Sequence, residues 1–393
     1  MMPLPYLFTI LMYVFVALLS AADASLVSTG MLPSFLALRW VRVHFITLGI
    51  VSQAVFGLLP GLAASVTKSP RPRMRWDIWL TLNAGLVALV GGFAGMILPM
   101  IFAGGTLVFI AATLLLLEMW KVRGGEAPPS LKYYLTGIFY LLVGIIIGTG
   151  LFLNWSPALH IQVPLEAHIH ANSWGFMSLV FAGLLLDFVP AITGRQLGTR
   201  RDTTIIFWGM TLGAIGLVLG PWLGRNLPLL VSGLVLHLAA TIWLLVLVVR
   251  AFREAGQLGQ PGAWHLIASY AWILVPVLIA PLTLAKLLDG PAIEATAPQA
   301  LIYGWALQFA IALIPYTVRR YFLREEKPGL GGSWLSLAAA AVGSVLVWAS
   351  IFAGPIQGML YGIGFVLYML AIGSLLAELV GAARDGLKKL ETV

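Results

Sequence analysis

Twelve apolar stretches, each about as long as a membrane-spanning helix, follow one another along this chain of 393 residues. A helix of about 20 residues crosses the hydrocarbon layer of a bilayer, which is roughly 30 Å thick. The sequence is 60% hydrophobic and only 10% charged, so lipid must be its solvent. We therefore predict an all-α, polytopic membrane protein whose single transmembrane domain, residues 1–393, is a bundle of twelve transmembrane helices. The predicted spans are 5–22, 38–63, 77–97, 99–120, 132–153, 168–190, 204–222, 228–250, 264–286, 299–318, 333–353 and 357–380.

Basic residues are divided unevenly between the two sets of loops, and this asymmetry predicts the orientation of the bundle. Of the lysines and arginines, nineteen fall on one side and four, Arg39, Arg42, Arg225 and Lys286, on the other. Cytoplasmic loops of membrane proteins are enriched in Lys and Arg. Both termini are therefore predicted to be cytoplasmic, with a short basic tail at 384–393, in a multi-pass protein of the inner (plasma) membrane. The nineteen are Lys68, Arg71, Arg73, Arg75, Lys121, Arg123, Lys132, Arg195, Arg200, Arg201, Arg250, Arg253, Arg319, Arg320, Arg324, Lys327, Arg384, Lys388 and Lys389.

The formal net charge of +8 could in principle indicate a nucleic-acid partner. The basic residues are instead spread over six cytoplasmic segments without a base-reading motif, so the predicted partner is the lipid bilayer and no nucleic acid. The chain has no cysteine, which excludes disulfides, iron–sulfur clusters and thiolate metal sites. Any metal or heme must therefore be held by His, Met, Tyr or carboxylate side chains.

Four of the six histidines, His44, His160, His168 and His170, fall at or near the outer ends of the second and sixth predicted spans. An ionisable side chain inside a membrane is costly and is a functional candidate by default. Glu166 and His170 are four residues apart and share a helix face, whereas His168 and His170 point to nearly opposite sides. One interpretation is a zinc or copper site formed by His160, Glu166, His168 and His170, or a heme ligand. The other is a polar helix start with ordinary hydrogen bonds, and for His44 a bond to a neighbouring helix.

The two remaining histidines carry weaker signals. We expect His237, in the middle of the eighth span, to hydrogen-bond between helices, and His265 to lie at the cytoplasmic interface; whether either is a ligand stays open. No nucleophile elbow and no phosphate-binding glycine loop is present, so no catalytic residue is predicted. No convincing internal repeat is visible in the sequence.

Three patches of the chain resemble subunit I of the heme–copper oxidase superfamily, which includes oxygen reductases and nitric oxide reductases. Arg42–His44 is similar to the start of the family helix that supplies a ligand to the low-spin heme. The stretch from His170–Asn172 to Phe188–Pro190 resembles the helix that carries the first copper ligand, and Gly220–Pro221 is similar to the residues before the family's histidine pair. The likeness extends over nearly the whole chain in helix number and topology. The match in the second span continues with Gly49, Gln53 and Gly57.

The departures from the family pattern are as informative as the matches. Trp222 and Leu223 follow Gly220–Pro221, so two of the three copper ligands are missing, and the tenth span, at Ala300–Trp305, has no histidine for either heme. Trp and Leu have no lone pair to offer a metal. The resemblance thus leaves only His44 and His170 as cofactor-binding residues and argues against standard oxygen reduction.

Three interpretations follow from this resemblance. In the first, a heme with His44 as one axial ligand serves electron transfer or gas binding; in the second, the histidines near the start of the sixth span bind copper or zinc without heme. In the third, the chain is a non-catalytic scaffold subunit or a small-molecule permease. We predict a heme- or metal-binding redox role, with other respiratory subunits or a periplasmic electron carrier as partners. If the protein is an enzyme, it is an oxidoreductase.

Overall fold

A computed structural model of the chain describes residues 2–34, 36–70, 72–122, 128–284, 287–288 and 290–391. Helices are the only regular secondary structure within these ranges, and ten of them are long and apolar enough to cross a membrane. The predicted class, an all-helical multi-pass membrane protein, is confirmed at this level. The helices are α1 (Leu4–Ser28), α2 (36–66), α3 (Trp76–Gly95), α4 (Leu98–Lys121), α5 (Pro129–Leu153), α6 (Pro164–Thr193), α7 (Arg200–Trp222), α8 (Leu227–Glu254), α9 (Pro261–Ser269), α10 (Ala271–Leu284), α11 (290–322), α12 (Trp334–Ser350) and α13 (Gln357–Glu391).

Two of the twelve predicted spans take another form. The stretch predicted at 264–286 is divided into α9 and α10 at Tyr270, and residues 285 and 286 lie outside the described ranges. The stretch predicted at 333–353 is α12, whose 17 residues fall short of the about 20 that a crossing needs. Twelve crossings and cytoplasmic termini therefore stay predictions. Arg71, Arg123 and Lys286, which contributed to the predicted orientation, lie outside the described residues.

Local sequence explains where several helices begin and end. Thr199 caps α7: its hydroxyl accepts the backbone N–H of Asp202 at 3.2 Å, and the Asp202 carboxylate accepts the N–H of Thr199 at 2.7 Å. Ser333 and Ser336 cap α12 in the same reciprocal way. Residues 384–391 of the predicted basic tail are helical, because α13 continues without interruption to Glu391.

The chain divides into two compact helical units. Unit 1 consists of residues 1–57 and 257–393, and unit 2 of residues 58–256. In unit 1, α1 packs against α2 and α13, α12 packs against α13, and the wholly buried apolar part of α11 packs against α2, α9 and α12. In unit 2, the successive helices from α3 to α8 pack each against the next, and α8 also contacts α6. The single transmembrane domain stays a prediction.

Three helices contain a π-helical segment of six or seven residues, at Phe45–Val51 in α2, Ala171–Met177 in α6 and Ile302–Leu307 in α11. Such segments are rare and are frequent at functional sites. In each case the preceding helix packs on the π-containing helix, and two following helices (α3 with α4, α7 with α8, α12 with α13) pack on each other. The described helices thus follow one pattern three times, which the sequence did not reveal. A further π-helical turn, Val318–Phe322, ends α11.

Glycines bring α7 and α8 into close contact. A Cβ atom built on Gly233 would lie 2.7 Å from the carbonyl oxygen of Gly213 and 2.8 Å from the backbone nitrogen of Leu217. Small residues at helix contacts are the usual means by which membrane helices approach each other. Because the obstructing atoms belong to the backbone, a side chain at this point would force the two helices apart.

We expect Gly233→Ala to lower the free energy of unfolding by about 1–3 kcal/mol, the usual effect of overpacking. Thermal unfolding of the detergent-purified protein, followed by tryptophan fluorescence, measures this change. The matched control is Gly373→Ala in α13, where a Cβ would meet no atom within 4 Å. Equal midpoints for the two variants would contradict the close contact.

Candidate functional site

His44 is the last residue before the π-helical segment of α2. Its Nδ1 lies 2.8 Å from the carbonyl oxygen of Trp40, and its ring stacks on the Trp40 indole with centroids 4.1 Å apart and an angle of 12° between the planes. Because a carbonyl oxygen only accepts hydrogen bonds, Nδ1 must carry the hydrogen. The neutral ring then has its lone pair on Nε2, the nitrogen that could bind a metal.

Two residues before His44, a buried arginine joins α2 to its neighbours within unit 1. The Arg42 guanidinium forms an ion pair with Asp23 of α1 at 2.9 Å, and the hydroxyl of Tyr303 in α11 donates to the Arg42 carbonyl at 3.4 Å. The Tyr303 ring packs between Tyr368 and Phe365 of α13. The segment where the family pattern would place axial histidines therefore supplies a tyrosine whose hydroxyl contacts α2.

His170 holds the corresponding position in unit 2, directly before the π-helical segment of α6. Its Nδ1 donates to the carbonyl oxygen of Leu217 in α7 at 2.6 Å. One turn earlier, the Glu166 carboxylate accepts a hydrogen bond from Nε of Arg225, just beyond α7, at 3.1 Å. Glu166 and His170 therefore both contact the α7 region, in agreement with their predicted common face.

The backbone also ties the start of α6 to the end of α7. The N–H of Gln162 donates to the carbonyl of Trp222 at 3.0 Å, and the N–H of Val163 donates to the carbonyl of Pro221 at 3.1 Å. The Trp222 and Leu223 positions, which lack the family's histidines, thus lie beside the segment that leads into His170. These two bonds fix the position of His170 along the axis of α7.

The other two candidate ligands have different surroundings. His168 donates from Nδ1 to the carbonyl of Gly144 in α5 at 2.8 Å, so it contacts a different helix from His170. His160 is exposed and lies in the loop before α6, with a left-handed backbone φ of 54°. Among the described residues, no three His, Asp or Glu side chains lie close enough together to hold a metal ion. The zinc or copper site of His160, Glu166, His168 and His170 stays a prediction.

The remaining histidines have structural contacts. His237 is fully buried, its Nε2 donates to the Trp174 carbonyl at 3.0 Å, and the Thr241 hydroxyl lies 3.2 Å from its Nδ1. The predicted hydrogen bond between helices is therefore confirmed. His265 is fully buried within the protein, with its Nε2 3.0 Å from the Ser336 hydroxyl of α12, and its expected place at the cytoplasmic interface stays a prediction. It is buried because the loop before α12 covers it, with Gly332 against its ring.

Comparison with models of known protein families and with curated protein sequences gives no match. Which group the site could bind must therefore be inferred from the atoms that it offers as metal ligands. Single imidazoles with a fixed Nδ1–H fit one axial position of a heme. A bis-histidine heme does not fit the described part of unit 1, because Tyr303 replaces the histidine expected from α11. A structural or catalytic zinc site usually needs three or four protein ligands, which the described residues do not bring together.

Proposed function

We propose that this chain is a heme-binding protein of the inner membrane, similar in architecture to heme–copper oxidase subunit I, that acts in electron transfer or gas binding. It crosses the membrane twelve times with both termini in the cytoplasm, and it does not perform standard oxygen reduction. The observation that carries the proposal is the shared placement of His44 and His170. Each stands directly before a π-helical segment, with its Nδ1 bonded to a backbone carbonyl.

That carbonyl bond is the contact a metal-ligating histidine usually makes with its second nitrogen. It selects the tautomer with the lone pair on Nε2 and holds the ring in one orientation. In His44 the stacked Trp40 indole restrains the ring further. A heme bound through one such nitrogen would supply a one-electron redox centre or an open axial position for a gas.

The copper or zinc alternative has less support, because its four candidate ligands contact different neighbours or solvent. The carbonyl bonds of His44 and His170 also fit a scaffold or permease role, since a histidine bonded in this way can be a purely structural contact. For a redox role, the electron donor would be another respiratory subunit or a periplasmic carrier.

The heme content of the purified protein tests this proposal. Expression with added heme precursor, followed by detergent purification, should give a Soret band and a pyridine hemochrome signal. We expect one of the two variants, His44→Ala or His170→Ala, to remove most of this absorbance, because it removes the one axial nitrogen that the heme uses. The matched control, His160→Ala, changes an exposed loop histidine and should keep the full band.

Folded protein without a Soret band would overturn the heme proposal. Stoichiometric copper or zinc in the same sample would then support the metal alternative, and the absence of both would support the scaffold or permease. Undiminished absorbance in both His44→Ala and His170→Ala would remove these two residues from the assignment.

A further inference from the structure

A group of buried polar side chains in unit 1 has no hydrogen-bond partners among the residues that the structure describes. Gln308 of α11 is fully buried, and neither its amide nitrogen nor its amide oxygen is bonded. The same holds for the Tyr270 hydroxyl and for the indole nitrogens of Trp272 and Trp348, whose residues are 2%, 9% and 5% exposed. Such groups are uncommon in native proteins, and each one needs an explanation, often an ordered water.

Contacts bring these side chains to one interface between helices. The Trp272 ring lies against Gly304, where a Cβ would be 2.6 Å from its Cγ and 2.9 Å from the Ser344 hydroxyl. Gln308 is four residues after Gly304, and Trp348 is four residues after Ser344, so each pair lies on one face of its helix. The ring of Tyr270 lies on the same side of α11, with its centroid 6.2 Å from that of Trp305.

Polar groups continue along this interface on both sides of Gln308. One turn before it, at the level of Gly304, the Tyr368 hydroxyl donates to Ser344 at 2.8 Å. One turn after it, Ile311 lies beside Gly332, which also contacts the ring of His265. His265 is bonded to Ser336 through Nε2, while its buried Nδ1 has no partner. The polar groups therefore form a column over three successive turns of α11.

The chemistry of the column defines its occupant. A glutamine amide offers two donors and one carbonyl acceptor, so the occupant must both accept and donate hydrogen bonds, whereas the indole N–H groups need an acceptor. The one carboxylate beside the column, Glu378, accepts the N–H of Gly332 at 2.8 Å and is paired with Arg319 at 3.5 Å. The side chains of the column itself are neutral, which favours a neutral occupant over an ion. Water satisfies both conditions, and inside a membrane only bound molecules can bond such groups.

We propose that α9 to α12 enclose a chain of bound water molecules centred on Gln308, extending from His265 at one end to Trp348 at the other. This hydrated column does not depend on the heme proposal, because it uses none of the candidate ligands. A polar path of this kind through an otherwise apolar helix interface would allow water or protons to enter the core of unit 1.

Radiolytic hydroxyl-radical labelling of the full chain in lipid nanodiscs tests the proposal. X-ray pulses produce radicals from bound water, which oxidise adjacent side chains even when these are buried. We expect Tyr270, Trp272 and Trp348 to be labelled several-fold faster than Tyr133. Tyr133 is a control, since it is also buried, with 0% exposure against 2% for Tyr270, but its hydroxyl donates to the carbonyl of Thr203 at 2.6 Å.

A volume-conserving variant, Gln308→Met, should reduce this labelling, whereas Leu313→Met in the same helix should not. Labelling of the three residues at the rate of Tyr133 overturns the proposal, even if the Gln308→Met variant fails to fold. A higher melting temperature of Gln308→Met would also count against it, because removal of a dry, unbonded amide relieves a penalty, whereas removal of a hydrated one does not.

Discussion

Asp23→Ala should lower the free energy of unfolding by about 3 kcal/mol, the lower end of the usual result of breaking a buried ion pair from one side, because the Asp23 side chain is 26% exposed. The variant leaves Arg42, which is 7% exposed, as an uncompensated charge between α1 and α2. The guanidinium Nε already has no partner among the described residues. Thermal unfolding in detergent measures the loss. His44 is two residues away, so the heme content should fall with it.

The control for this prediction is an ion pair of similar length in a different environment. Arg250 and Glu254 are 2.7 Å apart on α8, and both side chains are exposed. Glu254→Ala should leave the unfolding midpoint unchanged, since surrounding polar medium replaces such a partner at little cost. An equal loss in the two variants, or an unchanged midpoint in Asp23→Ala, would show that the buried pair is not stabilising.

Helix positions could be predicted well from apolar runs, because a membrane helix must satisfy its backbone internally over a fixed thickness. The fifth span, predicted at 132–153, is α5 at Pro129–Leu153. The division at Tyr270 could not be predicted, since the composition stays apolar across it. The π-helical segments were equally hidden, because these three spans are apolar on most sides and have no clear hydrophobic periodicity that one extra residue would interrupt. For the same reason the threefold pattern of helices became visible only in the structure.

Some features of the candidate site could also be predicted from the sequence, and others could not. The shared face of Glu166 and His170 follows from their spacing alone. The partners of the two histidines could not be predicted. His170 bonds the backbone carbonyl of Leu217 and His168 that of Gly144, and because every residue has a carbonyl, no side chain identifies these partners. Asp23 could have been found, because it is the only acidic residue of α1 and a membrane-embedded Arg42 needs a counter-charge.

Deletion of Ser173 should repack the π-helical segment of the site in unit 2. Removing one residue from Ala171–Met177 allows α6 to continue as a regular α-helix. A π-helical turn holds about one residue more than an α-helical turn, so the parts of α6 before and after the segment keep their orientation. Side chains and carbonyls within the segment, which packs against α5 and α7, take new positions. We expect a loss of about 1–3 kcal/mol in stability, measured as a lower unfolding midpoint, with helix content by circular dichroism unchanged.

The matched control is deletion of Gly259, an exposed residue in the turn between α8 and α9 where a Cβ would meet no atom within 4 Å. Both deletions shorten the chain by one residue, but only the first changes which side chains of α6 contact α5 and α7. The bonds of His168 to the Gly144 carbonyl and of His170 to the Leu217 carbonyl lie before the segment and should survive, so the damage should be confined to the segment itself. If the two deletions gave the same midpoint, the π-helical segment would be a tolerated irregularity. A lower midpoint in the Ser173 deletion alone would instead mean that the packing of this segment against α5 and α7 stabilises unit 2.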